Sequence, residues 1–307
     1  MIIGIVFVAI AALVVLVACA KVNPFLAFLF VSIGMALALG VPPAQVPAMV
    51  QKGLGSILGS LTIVIAAGAM LGRLVVDSGA AQRIATTLVN LFGTSKITWA
   101  MAATGFIVGL PLFYNVGFVL LVPIVFAISS RFNMPSVSLA VPALAALSVA
   151  HGLLPPHPSP VALVKQFEAS LGLTLAYGTV VAIPALVLAG PVFARFLRRI
   201  ETRPLAGLAA RQLPDEALPG IWTSLITSLL PALLLLISTA IEIVAPHTTA
   251  GFPILGFITH PDIVMLLTLM IAAVTLGIAR GRSLASVMAT YGAALTDVGP
   301  VLLVVAG

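Results

Sequence analysis

The ten residues His151-Gly152-Leu153-Leu154-Pro155-Pro156-His157-Pro158-Ser159-Pro160 hold four prolines and two of the chain's four histidines. They stand between two apolar runs, Val137 to Ala150 and Leu171 to Leu197. No helix continues through them, because each proline lacks an N–H and its ring crowds the preceding turn. Several carbonyls therefore lose their intrahelical partners. The surrounding solvent decides what becomes of them, and composition names the solvent: 61% of the 307 residues are hydrophobic and 7% are charged, well outside what a soluble core requires. The chain reads as an all-α polytopic membrane protein. Hydrocarbon satisfies no free carbonyl, so irregular backbone at membrane depth survives only where it is buried in protein or lines a wet cavity. The stretch thus reads as the break in a discontinuous helix over 137–170, the kind of place where transporters build substrate and ion sites. A proline-rich surface loop between two ordinary spans is the competing reading.

Taken in order, the apolar runs place spans near Ile2–Ala18, Pro24–Gly40 and Ile57–Val76, each close to the ~20 residues that cross a bilayer. Arg73 and Asp77 stand four apart, share one helix face and can pair. A polar segment, Asp77–Ile97, precedes thirty-two apolar residues, Thr98–Ser129. These are too many for one span and few for two. Their middle, Gly109-Leu110-Pro111-Leu112-Phe113-Tyr114-Asn115-Val116-Gly117, carries turn formers and a lone amide, which predicts a re-entrant hairpin, with two short full spans as the alternative. Further spans are expected over 171–198, Ile221–Val244, Ile263–Ala279 and roughly Leu284–Gly307. The single cysteine, Cys19, excludes an internal disulfide and a cysteine-based metal site. Leu16-Val17-Ala18-Cys19 looks like a lipoprotein cleavage box, but no basic residue precedes the apolar run, so an uncleaved first span is expected.

A formal charge of +6 would suit nucleic acid if the basic residues formed one patch. They are spread between the spans instead, where they set orientation. With Arg195, Arg198, Arg199, Arg203 and Arg211 in the cytoplasm, alternation puts Lys21, Arg73, Arg83, Lys96, Arg131, Arg280 and Arg282 there too, with Lys52 and the N-terminus outside. At an offset of 239, Ile63-Val64-Ile65-Ala66-Ala67-Gly68 faces Leu302-Leu303-Val304-Val305-Ala306-Gly307, and Met49 and Gly53 face Met288 and Gly292. Lys21 falls inside and His260 outside, so the two copies would be inverted, as in many secondary transporters. The expected organisation is a first span over 1–20, a first inverted repeat over 21–198, a cytoplasmic loop over 199–220, and a linking span with the start of a second repeat over 221–307. The first repeat holds the hairpin 98–129, the broken helix 137–170 and the span 171–198. A complete second copy would run well past residue 307, so the chain is expected to be truncated at its C-terminus.

Several blocks resemble the gluconate:proton symporter (gluconate permease) family: Gly68-Ala69-Met70-Leu71-Gly72, Asp77-Ser78-Gly79-Ala80-Ala81-Gln82-Arg83-Ile84-Ala85, Phe113-Tyr114-Asn115-Val116-Gly117-Phe118, Ala146-Leu147-Ser148-Val149-Ala150-His151-Gly152 with Pro155-Pro156-His157-Pro158, and Asn23-Pro24-Phe25. The resemblance runs from the first span to the last residue. It implies proton-driven uptake of gluconate or a related sugar acid across the bacterial inner membrane. It also implies a fold of inverted repeats, each with a hairpin and a broken helix, as in the wider ion transporter superfamily. Two departures matter. Asn115 stands where some family members carry Glu, which tells against a proton-carrying role there, and family members continue past the point where this chain ends. A transporter of another small carboxylate and a non-transporting fragment are the alternative readings.

A sugar acid needs its carboxylate compensated and its hydroxyls hydrogen-bonded away from most water. Half-helix N-termini offer free N–H groups and a favourable dipole, one after Pro160 and one near Asn115–Gly117. The candidate substrate-binding residues are Asn115, Gly117, His151, Gly152, His157 and Ser159, of which Asn115 and Ser159 both donate and accept. His151 and His157, of a type that titrates near neutrality, are candidates for the coupled proton, and Asp297, in an apolar stretch, is a third. Each has a plainer reading: Asn115 caps a helix, Ser159 satisfies local carbonyls, and a histidine beside prolines bonds a freed backbone group. Lys165 and Glu168 are expected at an interface, paired with each other. No H-E-x-x-H, no G-x-S-x-G and no paired intramembrane aspartates occur, so no enzyme chemistry, metal or cofactor is expected. The repeated polar lining of a channel is missing as well. The expected partners are a gluconate-like carboxylate, the proton, the bilayer and a second copy of the chain, with no nucleic acid.

Overall fold

The computed structural model describes residues 2–112, 114–200, 202, 213–244 and 253–307. Every regular element among them is helical. Helix α1 (Ile2–Val14) runs on through a π-helical turn at Val15–Cys19, and α2 is Pro24–Ala38. Then come α3 (Val46–Asp77), α4 (Ala80–Phe92), α5 (Ile97–Gly109), α6 (Tyr114–Phe132), α7 (Ser136–Leu153) and α8 (Pro158–Gln166). Helix α9 (Leu171–Val187) passes through a second π-helical turn into α10 (Phe193–Leu197). The last four are α11 (Ile221–Val244), α12 (Pro253–Thr259), α13 (Pro261–Ala272, prolonged by further turns to Arg280) and α14 (Leu284–Ala306). Among the described residues, seven stretches are long and apolar enough to cross a membrane: Ile2–Cys19, Pro43–Asp77, Ser136–Gln166, Leu171–Leu197, Ile221–Ile241, Pro261–Arg280 and Leu284–Ala306.

Two elements depart from the sequence expectation. The span placed at Ile57–Val76 is the second part of one helix of 32 residues. Its early glycines weaken the helical pattern without ending it, since a lone glycine lowers stability by only ~1 kcal/mol. The polar segment Asp77–Ile97 contains the amphipathic helix α4, which buries Ala81, Ile84, Ala85 and Val89 on one face. That spacing is legible in the sequence, but it is diluted by the polar residues between. Gly79 starts this helix at φ +79°, a backbone conformation that requires glycine, and a Cβ there would also push the end of the Leu218 side chain, 2.6 Å away, aside.

The chain divides into two compact units, Met1–Thr62 with Thr296–Gly307, and Ile63–Leu295. In the first, Asn23 Oδ1 accepts from the Phe25 N–H at 3.0 Å and Pro24 takes the first helical position, which together start α2. The second holds the core. Met101, Leu121, Leu139 and Leu147 are buried together where α5, α6 and α7 meet. The helices approach closely through small residues: a Cβ on Gly105 would lie 2.9 Å from Ala146 Cβ, and one on Gly109 3.1 Å from Leu147 Cδ2. This G-x-x-x-G spacing brings backbones together where lipid offers no hydrophobic drive to do so.

Arginines assigned to orientation also hold backbone. Arg83 donates from Nε to the Pro219 carbonyl at 2.9 Å and from Nη2 to the Asp215 carbonyl at 2.8 Å. Gln82 exchanges two hydrogen bonds with the Leu213 backbone, and Arg280 donates to the carbonyls of Ala217 and Leu218. The segment before α11 is thereby fastened to the start of α4. Arg203 and Arg211 of the expected cytoplasmic loop lie outside the described residues.

Candidate functional site

Helix α7 ends because Pro155, Pro156 and Pro158 cannot continue it. Leu154 takes an extended backbone (φ −115°, ψ 128°) while its N–H still bonds the Ala150 carbonyl. The Pro155–Pro156 peptide is cis. His157 is the N-cap of α8, and Pro158 takes the first helical position, where no N–H is missed. Leu154, Pro155, Pro156 and His157 are all buried, so the interruption lies inside protein. The hairpin formed by α5 and α6 reaches the same place: Gly72 of α3 receives its turn, with a Cβ there only 2.6 Å from the Pro111 carbonyl oxygen. One turn earlier, Gly68 faces Pro156. Helix α9 closes the other side at Gly178, where a Cβ would lie 2.8 Å from the Leu153 carbonyl oxygen.

At this junction the two histidines meet. His151 Nδ1 and His157 Nδ1 are 3.2 Å apart, with ring centroids 4.7 Å apart, and His157 Nε2 lies 2.9 Å from the Gly109 carbonyl oxygen. That carbonyl belongs to the last turn of α5, where no intrahelical donor remains. His157 therefore satisfies a carbonyl at the end of the hairpin's first arm. Its side chain is 3% exposed, and His151 is half-buried.

The other candidates are distributed unevenly. Gly152 and Ser159 flank the break and are exposed, with open space around Gly152. Gly117 is buried, and a Cβ there would lie 2.7 Å from Leu147 Cδ2, so its place in the structure is a helix contact. Asn115 lies in the first turn of α6, and its side chain is outside the described residues. Asp297 is exposed and belongs to the other compact unit. The expected pair of Lys165 and Glu168 does not form: α8 ends at Gln166, Glu168 adopts φ +49°, and both residues are exposed, so the helical register that would align them is lost. Arg73 and Asp77 do pair, Nε to Oδ1 at 3.3 Å, and Thr290 links Asp77 to Arg282. Sequence reasoning passed over two buried hydroxyls with no hydrogen-bond partner among the described residues, on Thr104 of α5 and Ser228 of α11. A lone hydroxyl within an apolar helix was the only sign of either. It also passed over Gly109 as a hydrogen-bond acceptor, which no side-chain pattern announces.

Comparison with known proteins bears on the whole chain. The chain is 42% identical over 288 residues to a high-affinity gluconate transporter of Escherichia coli (strain K12), covering 94% of this chain and 66% of that protein. To the Gnt-II system L-idonate transporter of the same organism it is 40% identical, covering 97% and 68%. To a gluconate permease of Bacillus subtilis (strain 168) it is 40% identical, covering 97% and 69%. The chain thus spans about two thirds of the length of the curated relatives it matches. No solved structure matches it significantly. The profile described as GntP family permease matches residues 1–307. With seven candidate spans among its described residues, the chain is a multi-pass plasma-membrane protein that belongs to the GntP permease family.

Proposed function

We propose that this protein carries gluconate or a related sugar acid into the cell together with a proton. One observation carries the reading: two histidines join ring to ring where the break in an apolar, membrane-length stretch touches the end of a helical hairpin. His151 stands midway along that stretch, Ser136–Gln166. Buried ionisable groups at such depth mark ion and proton pathways. The start of α8, with the Ser159 N–H and the positive end of its dipole, suits a carboxylate, and the accessible Gly152 and Ser159, with Asn115, are assigned to the sugar hydroxyls. A proton and a carboxylate held side by side attract each other by several kcal/mol at ~4 Å in a medium of effective dielectric ~20. Each therefore raises the affinity for the other, and the coupling is reciprocal. That mutual dependence is what symport requires.

The relatives named for gluconate and for L-idonate, at nearly equal identity, support a class of polyhydroxy acids over a single compound. The hairpin α5–α6 is read as re-entrant, with Lys96 and Arg131 cytoplasmic, the N-terminus outside, and the two halves of the chain related as inverted repeats. In a Cys19→Ser background, Lys96→Cys and Arg131→Cys should label only from the cytoplasm and Lys52→Cys only from outside; labelling from the opposite sides would reverse the orientation. The function itself is tested by uptake of labelled gluconate into cells that lack other routes for it. Accumulation that a protonophore abolishes is expected, and uptake indifferent to the protonophore, or none above control cells, would refute proton-coupled transport.

A further inference from the structure

The hydrogen bonds around the two histidines fix more than their positions. A carbonyl oxygen only accepts, so the 2.9 Å contact with Gly109 makes His157 Nε2 the donor. A neutral His157 then carries its lone pair on Nδ1. That atom faces His151 Nδ1 at 3.2 Å, so His151 must be the donor in this second bond and its own lone pair lies on Nε2. From the Gly109 carbonyl the tautomers of both rings follow in turn.

We propose that His151 is the residue that takes and releases the coupled proton, through Nε2, and that His157 is a positioning residue that holds His151 in the Nδ1–H form. This rests on the reading of the protein as a proton-coupled carrier. Adding a proton to His151 Nε2 leaves the bond between the rings and the bond to Gly109 intact. Adding one to His157 Nδ1 instead would set two N–H groups against each other at 3.2 Å, unless His151 gave up its own proton at the same moment. The pair therefore holds one exchangeable proton, with His151 Nε2 as its entry. No bond other than N–H is made or broken, and the proton leaves by the atom through which it came.

The neighbouring elements supply few competing charges. Helix α5 has no titratable side chain, and α7 has only His151. Beyond His157, α8 contributes only Lys165, which is exposed, and α9 contributes Tyr177, 69% exposed. The part of α3 beyond Gly68 carries Arg73 and Asp77, which pair with each other. The helices whose Leu235 and Val264 pack with Ala150 and Leu154 carry Glu242 on α11 and Asp262 on α13, the latter beside His260. Tyr114 and Arg131 of α6 complete the set.

Two measurements test the inference. Nitrogen-15 NMR of histidine-labelled protein in lipid nanodiscs at alkaline pH should show one ring protonated on Nδ1 and one on Nε2, assigned by His151→Gln and His157→Gln. The opposite assignment, or both rings on Nε2, overturns the inference whether or not the protein transports gluconate. In proteoliposomes, His151→Gln should bind gluconate more weakly, show counterflow only at raised gluconate concentration, and lose accumulation driven by an imposed proton gradient. His157→Gln keeps an N–H for Gly109 and should slow both processes while leaving accumulation dependent on the gradient. If His151→Gln still accumulates gluconate against the gradient and His157→Gln does not, the roles are wrongly assigned. Wild-type protein that moves no gluconate at all would refute the transport reading, and the NMR result would still decide the tautomers.

Discussion

Helices α1 and α5 have the same length, 13 residues each, and neither carries a charge. Yet α1 buries none of its residues within the chain, whereas α5 buries nine. Their sequences explain the difference. Helix α1 is mostly isoleucine, valine, phenylalanine and leucine, with Gly4 and three alanines between them, and its large side chains stay on the surface, with Ile3, Phe7 and Val8 each more than two thirds exposed. Helix α5 is built from alanine, glycine and threonine around a few large residues, so its backbone can lie directly on α7. In a membrane, burial follows from how closely two backbones can approach and not from how apolar a helix is, since lipid tails already satisfy an apolar surface. Hydropathy finds both helices; the spacing of small residues tells which one becomes core.

The largest expected effect breaks that contact. Gly105→Val places side-chain atoms against Ala146 Cβ and the Ala143 carbonyl, and overpacking of this kind costs about 1–3 kcal/mol. Thermal unfolding in detergent should show a clear drop, whereas Gly4→Val on α1, with nothing within 4 Å, should show none. Equal losses in the two variants would mean that small-residue packing is not what distinguishes the helices.

Next is the polar bond that ties the hairpin to the break. His157→Leu leaves the buried Gly109 carbonyl without this donor, a cost on the order of 1–3 kcal/mol that is partly offset by burying leucine in place of the ring. His157→Gln should recover part of that stability, and a leucine variant as stable as wild type would remove the bond from the account. Much smaller is the effect of Asp77→Asn. The Arg73–Asp77 pair is about one third exposed on each side, and such pairs contribute ~0.2–1 kcal/mol, less at high salt. Smallest of all should be Phe7→Ala, on a side chain 69% exposed, expected within about 0.5 kcal/mol of wild type in the same melts.

What the sequence made legible follows the same division. The membrane class came from composition, the break within 151–160 and the turn within 109–117 from clustered prolines and glycines, and the pairing of Arg73 with Asp77 from their spacing. Helix α4 was missed because half of its apolar face is alanine, a weak signal beside Gln82, Arg83 and two threonines. The meeting of His151 with His157 could not be read either. They are six residues apart, a separation that brings two side chains together only once a bend of known shape lies between them. The part played by Gly109 was hidden more deeply, since a backbone carbonyl has no residue type and its partner stands 48 positions away.

The proposed symport requires that the junction of the broken helix and the hairpin bind a sugar acid and a proton together. Proton uptake by the purified, full chain in weakly buffered detergent, followed with a pH-sensitive dye as gluconate is added, measures this directly. The account predicts about one proton taken up for each gluconate bound by wild-type protein, and none by His151→Gln. Gluconate binding without proton uptake, or equal uptake in both proteins, would contradict it.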